Sequence, residues 1–200
     1  TNEGWRYDTQ TGSWTRIANL PAVRFGGAMA YLDGKLHYWG GNDSSRYKAV
    51  NDHWTLDLNS SNASWQSAPP IPLAGDHLSH VVLNGKIYSI GGEHDHGKSY
   101  VQHDYVFAFD PATNQWSRLA DMPTPASHFE AATFVQDGRI WAIGGQVDHE
   151  KLTSEVRVFD PATNRWAIGV PFPEQRKGGT VALWQGNAYY ISGDSSLRGT

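Results

Sequence analysis

The stretch Val82-Leu-Asn-Gly-Lys-Ile-Tyr-Ser-Ile-Gly-Gly92 decides the fold. Asn84-Gly85 separates two short apolar runs, the strongest short-range hairpin signal, because Asn and Gly tolerate the positive φ of a type I′ turn. Gly91-Gly92 ends the second run, where the backbone must bend and a neighbour must approach closely. The pattern recurs as Tyr31-Leu-Asp-Gly-Lys-Leu-His-Tyr-Trp-Gly-Gly41, Val135-Gln-Asp-Gly-Arg-Ile-Trp-Ala-Ile-Gly-Gly145 and Leu183-Trp-Gln-Gly-Asn-Ala-Tyr-Tyr-Ile-Ser-Gly193. The turn glycines Gly34, Gly85, Gly138 and Gly186 are spaced by 51, 53 and 48 residues. A repeat of that length is an architecture in itself.

A second signature alternates with the first. Tyr7-Asp8 precedes Trp14, Leu56-Asp57 precedes Trp65, Phe109-Asp110 precedes Trp116, and Phe159-Asp160 precedes Trp166. Asp110-Pro-Ala-Thr-Asn-Gln-Trp116 and Asp160-Pro-Ala-Thr-Asn-Arg-Trp166 are nearly the same heptad. Pro fixes φ, and Asp and Asn cap their own backbone, so this is turn chemistry between two further strands. Each unit thus reads as strands a and b around the Gly hairpin, a variable loop, then strands c and d around the Asp turn. Such a four-stranded antiparallel sheet cannot bury both faces alone and must stack on its neighbours.

With its double glycine, aromatic-Asp pair and Trp in fixed order, the chain resembles the kelch-repeat family, whose blades of about 50 residues build β-propellers. The resemblance covers essentially the whole chain; Leu56 and Ser192 depart from the pattern. The expected fold is all-β, a kelch-type propeller with four repeats. Residues 24–68, 77–119 and 128–168 make complete blades, residues 1–17 supply only strands c and d, and residues 176–194 only strands a and b. Either the two halves zip into a composite fourth blade, or the chain is a piece of a larger propeller. In the second case the bare blade edges are covered by the remainder of that propeller or by a partner, because uncovered edge strands invite aggregation.

Composition narrows function by exclusion. Of 200 residues, 21 are Gly and 9 are Trp while only 18% are charged, which suits large side chains packed between sheets. The formal net charge of −4 argues against nucleic acid or an anionic membrane as the main partner. No apolar run reaches the roughly 18 residues of a membrane span. Without cysteine, disulfides, thiolate metal sites and a tyrosine–cysteine radical cofactor are out of reach. No signal-like segment opens the chain, so any targeting sequence is expected to be absent or removed, and a cysteine-free, Gly- and Trp-rich propeller resembles exported proteins, extracellular or periplasmic.

Strand order assigns the loops. The a–b hairpins and c–d turns share one face and are monotonous; the b–c loops and the d–a corners between blades share the other and differ in every blade. Variable loops on a rigid scaffold are where function concentrates. This face offers Arg24, Arg46, His77, His94, His96, His128, Glu130, His149 and Arg176 as candidate ligand-binding residues. In kelch proteins that bind peptides or sugars, arginines entering strand a are common contacts, and the resemblance puts Arg24 and Arg176 there, with His128 at that position in the third complete blade. Arg24 and Arg176 serve equally well as bonds to carbonyls of neighbouring blades. His37, His53 and His80 lie inside strands and read as packed.

Glu93-His-Asp-His96, followed by His103-Asp104, has the His-x-His and carboxylate content of a Zn²⁺ loop. Loops are rich in such residues for solvation alone, so no metal or cofactor is assigned. No catalytic triad or phosphate loop recurs, and no catalytic residue is assigned. The reading is a binding module for a protein, peptide or carbohydrate ligand on the variable face, with a sugar-acting enzyme, mutarotase- or lyase-like, as the alternative use of the same His, Arg and Glu residues.

Overall fold

The computed structural model describes residues 1–95, 100–149 and 151–196; His96, Glu150 and Arg198 lie outside them. The strands are β1 (Gly4–Asp8), β2 (Ser13–Ile17), β3 (Ala28–Leu32), β4 (Lys35–Trp39), β5 (His53–Asp57) and β6 (Gln66–Ala68). Next come β7 (Ser79–Leu83), β8 (Lys86–Ile90), a short ribbon β9 (Glu93–His94) and β10 (Val101–Gln102), then β11 (Val106–Asp110) and β12 (Gln115–Arg118). A 3₁₀ turn at Glu130–Ala132 leads into β13 (Thr133–Gln136) and β14 (Arg139–Ile143). A second ribbon, β15 (Gln146–Asp148) and β16 (Lys151–Leu152), precedes β17 (Val156–Asp160), β18 (Arg165–Ile168), β19 (Thr180–Trp184) and β20 (Asn187–Ile191).

These strands form three four-stranded antiparallel sheets, β3-β4-β5-β6, β7-β8-β11-β12 and β13-β14-β17-β18, hereafter blades 1, 2 and 3. Blade chemistry follows the repeat. In each c–d turn the Asp carboxylate accepts a backbone N–H two residues on, at 2.8 Å for Asp8 and 2.9 Å for Asp57, Asp110 and Asp160. The aromatic before it lies opposite the Trp of strand d, with ring centroids 4.9 Å apart for Tyr7–Trp14, 5.2 Å for Phe109–Trp116 and 5.0 Å for Phe159–Trp166.

The core lies between blades. Ala28, Trp39, Leu78, Ile87, Phe107 and Phe109 bury the boundary of blades 1 and 2; Tyr88, Ile90, Val106, Phe129, Ala142 and Phe159 bury that of blades 2 and 3. Strand β7 packs beside β3 on one side and β13 on the other, so the first strands of successive blades line the inner rim.

The double glycines fix this stacking. Gly41 N–H donates to the Gly75 carbonyl (2.8 Å), Gly92 N–H to Ala126 (2.9 Å) and Gly145 N–H to Arg176 (2.7 Å), each reaching into the next blade. A Cβ on Gly91 would lie 2.5 Å from the Ala126 carbonyl oxygen, so only glycine allows the approach.

Strands β1-β2 and β19-β20 remain separate two-stranded sheets, with no pairing between β20 and β1. The two halves therefore do not zip into a composite blade, and the propeller is an open arc.

Candidate functional site

Four equivalent corners, one per repeat, build the variable face. Each is an isolated backbone bridge between the residue entering strand a and the residue after the double glycine: Phe25 with Asn42, Asp76 with Glu93, Ser127 with Gln146, and Lys177 with Asp194. Side chains then join one blade to the next. Asn42 Nδ2 donates to Asp76 Oδ2 (2.6 Å), Ser127 Oγ to Glu93 Oε2 (2.6 Å), and Lys177 Nζ to Gln146 Oε1 (2.9 Å). Asn42, Asp76, Glu93, Ser127 and Gln146 are all buried, so these hydrogen bonds join successive blades out of solvent.

The residue after each corner has positive φ: Gly26 (63°), His77 (49°), His128 (59°) and Gly178 (66°). Glycine occupies that conformation at no steric expense, whereas a side chain there is uncommon and strained. Blades 2 and 3 nevertheless carry histidine. The rings of His77 and His128 stack with centroids 4.1 Å apart and planes at 21°. His77 Nδ1 is 2.8 Å from Glu130 Oε1, and His128 Nδ1 is 2.8 Å from Ser127 Oγ and 3.5 Å from Glu93 Oε2.

Electrostatics sets the two rings apart. Burial opposes a charge on His77, but the hydrogen bond and charge of Glu130, with Asp76 and Glu93 behind, outweigh it and hold its pKa above the ordinary value. Burial, reinforced by the neighbouring His77, pushes His128 down. Burial also works against the Glu130 carboxylate, yet its bond to His77 keeps its pKa below the usual glutamate range.

Other candidates go elsewhere. Arg24 does not bond a neighbouring blade: its side chain lies over Trp54 (4.8 Å), donates to the Val23 carbonyl and pairs with Asp52 of its own blade. Arg176 donates to the Gly193 carbonyl (3.3 Å) and to Glu174 (2.5 Å), again within its own repeat. The guanidinium of Arg46 sits 4.6 Å above the Phe25 ring, exposed to solvent. His149 stacks on Tyr100, with centroids 4.9 Å apart.

The Glu93–His96 loop splits. Glu93 turns inward to His128, while His94 Nδ1 lies 2.5 Å from His103 Nε2, lining a cleft of about 310 Å³ with Lys48, Leu73 and Tyr105. His96, the second histidine of that motif, lies outside the described residues.

One positional expectation is corrected. His128 does not stand where Arg24 and Arg176 stand; Gly75 and Ala126 do, each accepting from the double glycine of the preceding blade, as Arg176 does. Gly34, Gly85 and Gly186 each follow that position by ten residues, but Gly138 follows Ala126 by twelve. The two extra residues are taken up by the 3₁₀ turn Glu130–Ala132. That same turn brings Glu130 to His77. Asn42 and Gln146 are missing from the sequence-based candidates, and Glu93 figures there only as part of the Glu93–His96 loop; the signal of all three is the fixed position directly after each double glycine.

A cleft of about 730 Å³ opens on the opposite face between blades 1 and 2, lined by Lys35, His37, Lys86 and Asp110 among others. The lining there includes the small residues Ser67, Ala68, Gly85 and Ala112, which leave the wedge between the sheets unfilled.

A family model described as the KLHDC2/KLHL20/DRC7 Kelch-repeats domain matches residues 1–193. Kelch-like protein 36 of Rattus norvegicus is 32% identical over 180 residues, covering 86% of this chain and 28% of that protein. Kelch-like protein terF of Aspergillus terreus is 27% identical over 219 residues, covering all of this chain and 45% of that protein. The chain thus spans between about a quarter and a half of the curated relatives it matches. The solved structure of YjhT superposes with a TM-score of 0.82 at 23% identity, over 96% of this chain and 66% of that one, and shares the fold. With the repeat, the blades and the family match in agreement, the chain belongs to the kelch-repeat family.

Proposed function

We propose that the chain is a protein-interaction module whose partner docks on the face made by the d–a corners and b–c loops. The observation that carries this reading is the presence of His77 and His128 at positive φ, where the equivalent corners use glycine. Backbone strain at an exposed rim, held in place by bridges on both sides, marks a position kept for what its side chain contacts. Arg46, Tyr47, His94 and His149 surround that rim on variable loops. Its kelch-like relatives and the propeller scaffold agree with such a role. A carbohydrate ligand has less support, since Tyr100 already stacks on His149 and Trp65, Trp116 and Trp166 are committed to blade boundaries.

Lysines distinguish the faces. Lys48, Lys151 and Lys177 belong to the variable face; Lys35 and Lys86 belong to the hairpin face. Amine cross-linking of the captured complex, read by mass spectrometry, is expected to join the partner to the first group. Cross-links confined to Lys35 and Lys86 overturn the choice of face, and binding on a glycan array without a protein partner overturns the choice of ligand.

A further inference from the structure

We propose that His77, Glu93 and His128 form a binding site for a borderline divalent transition metal of the Zn²⁺ class. Each offers one ligand atom, and these atoms lie within 4.8 Å of one another. Among the described residues no other three such side chains converge. Two imidazoles and one carboxylate are the donor set that suits Zn²⁺ and its neighbours, while Mg²⁺ and Ca²⁺ prefer oxygen alone.

The framework holds the donors on rigid backbone. Glu93 is bridged to Asp76, and His77 and His128 each follow a bridged corner residue, so all three are fixed to the inner ends of adjacent blades. Ser127 Oγ and Gln102 Nε2 donate to Glu93 Oε2 at 2.6 and 3.3 Å, orienting that carboxylate. Glu130 bonds Nδ1 of His77, the carboxylate–histidine pairing that sets tautomer and ring orientation in metal sites, while Nε2 lies 3.9 Å from Asp76 Oδ2. The two-residue enlargement of blade 3 supplies this Glu130.

Charge and access agree. Asp76, Glu93 and Glu130 surround two imidazoles, and the nearby cation Lys177 is bonded to Gln146. The His77 and His128 side chains are 31% and 26% exposed while Glu93 is sealed, so an ion enters from the rim and keeps a coordination position open towards solvent. Tetrahedral bonds of about 2.0–2.1 Å need donors about 3.3 Å apart. Loading therefore draws the side chains together by about 1–1.5 Å, which rotamer adjustment supplies.

The test is calorimetric titration of Zn²⁺ into the untagged, chelator-stripped chain, with no partner protein present, so its outcome is independent of the docking face. One equivalent is expected to bind. His77→Gly and His128→Gly place in blades 2 and 3 the residue found at positions 26 and 178, and each is expected to weaken binding about tenfold or more. Glu130→Gln, a positioning change, is expected to weaken it less, and His94→Gln not at all. Circular dichroism melts of each variant verify the fold. No stoichiometric binding, unaltered binding in both glycine variants, loss in His94→Gln, or Mg²⁺ binding as tight as Zn²⁺ each overturns the site.

Discussion

Trp166 donates its indole N–H to the carbonyl of Ala120, 2.9 Å away and 46 positions earlier in the chain. Asn164 of the same turn accepts the N–H of Ala120 at 2.8 Å, so blade 3 holds both peptide groups of the segment leaving blade 2. The contact is periodic: Trp116 donates to the Pro69 carbonyl at 3.1 Å and Trp65 to that of Ala18 at 3.0 Å. The Trp of each repeat is thus a strut to the repeat before it, besides packing on its own blade.

Trp166→Phe keeps an aromatic ring, though a smaller one, and removes the donor, leaving a carbonyl unpaired; a loss of about 1–2 kcal/mol is expected. Trp166→Ala also removes the half-buried ring, and about 2–4 kcal/mol is expected. Trp14 packs tilted against Tyr7 but is 65% exposed, so Trp14→Ala in the same chain is expected to cost under about 1 kcal/mol. Urea unfolding of the three variants checks the order.

Acid is expected to destabilise the fold through buried histidines. Burial holds His37, His53 and His103 at about 4, each below the ordinary value of 6.5. His37 Nδ1 lies 3.0 Å from His53 Nε2 in the core, so neither ring gains from a proton. A depressed histidine pKa means that the unfolded chain binds protons first. Stability is therefore complete above pH 6.5 and falls as pH drops towards 4, by at most about 1.4 kcal/mol per pH unit for each histidine. Urea midpoints measured from pH 7.5 to 4.5 follow this; His37→Phe, which removes one of the groups, is expected to flatten the slope.

At the double glycines, the first residue of each pair meets the following blade. Gly91 has φ of 61° and the Ala126 carbonyl against it; Ser192, its counterpart in the last repeat, has φ of 69°. Gly91→Ser adds both a clash and left-handed strain and is expected to lose at least about 3 kcal/mol. Ser192→Gly relieves strain and is expected to gain up to about 1 kcal/mol. Thermal melts of the pair distinguish a blade-locking glycine from one that is merely conformational.

Much of this was legible in the sequence, and for physical reasons. Asn84-Gly85, Asp110 and Gly91-Gly92 each encode a local backbone requirement that few other residues satisfy, so strands, turns and blade order follow from them. The corner of blade 3 was misplaced because counting back from Gly138 assumes a strand a of constant length, and the 3₁₀ turn at Glu130–Ala132 adds two residues. The His77–Glu130 contact spans 53 positions, and the inter-blade chain through Asn42, Glu93 and Gln146 joins residues more than 30 apart. No local pattern reports such pairings. The bonds that Arg24 and Arg176 make within their own repeats were equally hidden, because a partner in the same blade and a ligand on the face demand the same residue type.

A size exchange inside the repeat was legible and gives the sharpest test of packing. Gly27 and Gly179 lie against Tyr38 and Tyr190, whose rings occupy the space a Cβ would need, at 2.3 and 2.2 Å from their hydroxyl oxygens. At the same two positions blade 2 has Leu78 with Ser89, and blade 3 has Phe129 with Ala142. Large and small thus trade places between the corner and strand b while the filled volume is kept, as close-packed interiors require. Gly27→Leu alone is expected to be severely destabilising, by about 3 kcal/mol or more, and Tyr38→Ser alone to lose about 2–4 kcal/mol through the cavity it leaves. Together they recreate the blade 2 solution in blade 1. The double variant is expected to be more stable than the sum of the single losses by at least about 1 kcal/mol, read as the coupling energy of a double-mutant cycle. Additive losses would show that the exchange between blades reflects separate local fits rather than one shared space.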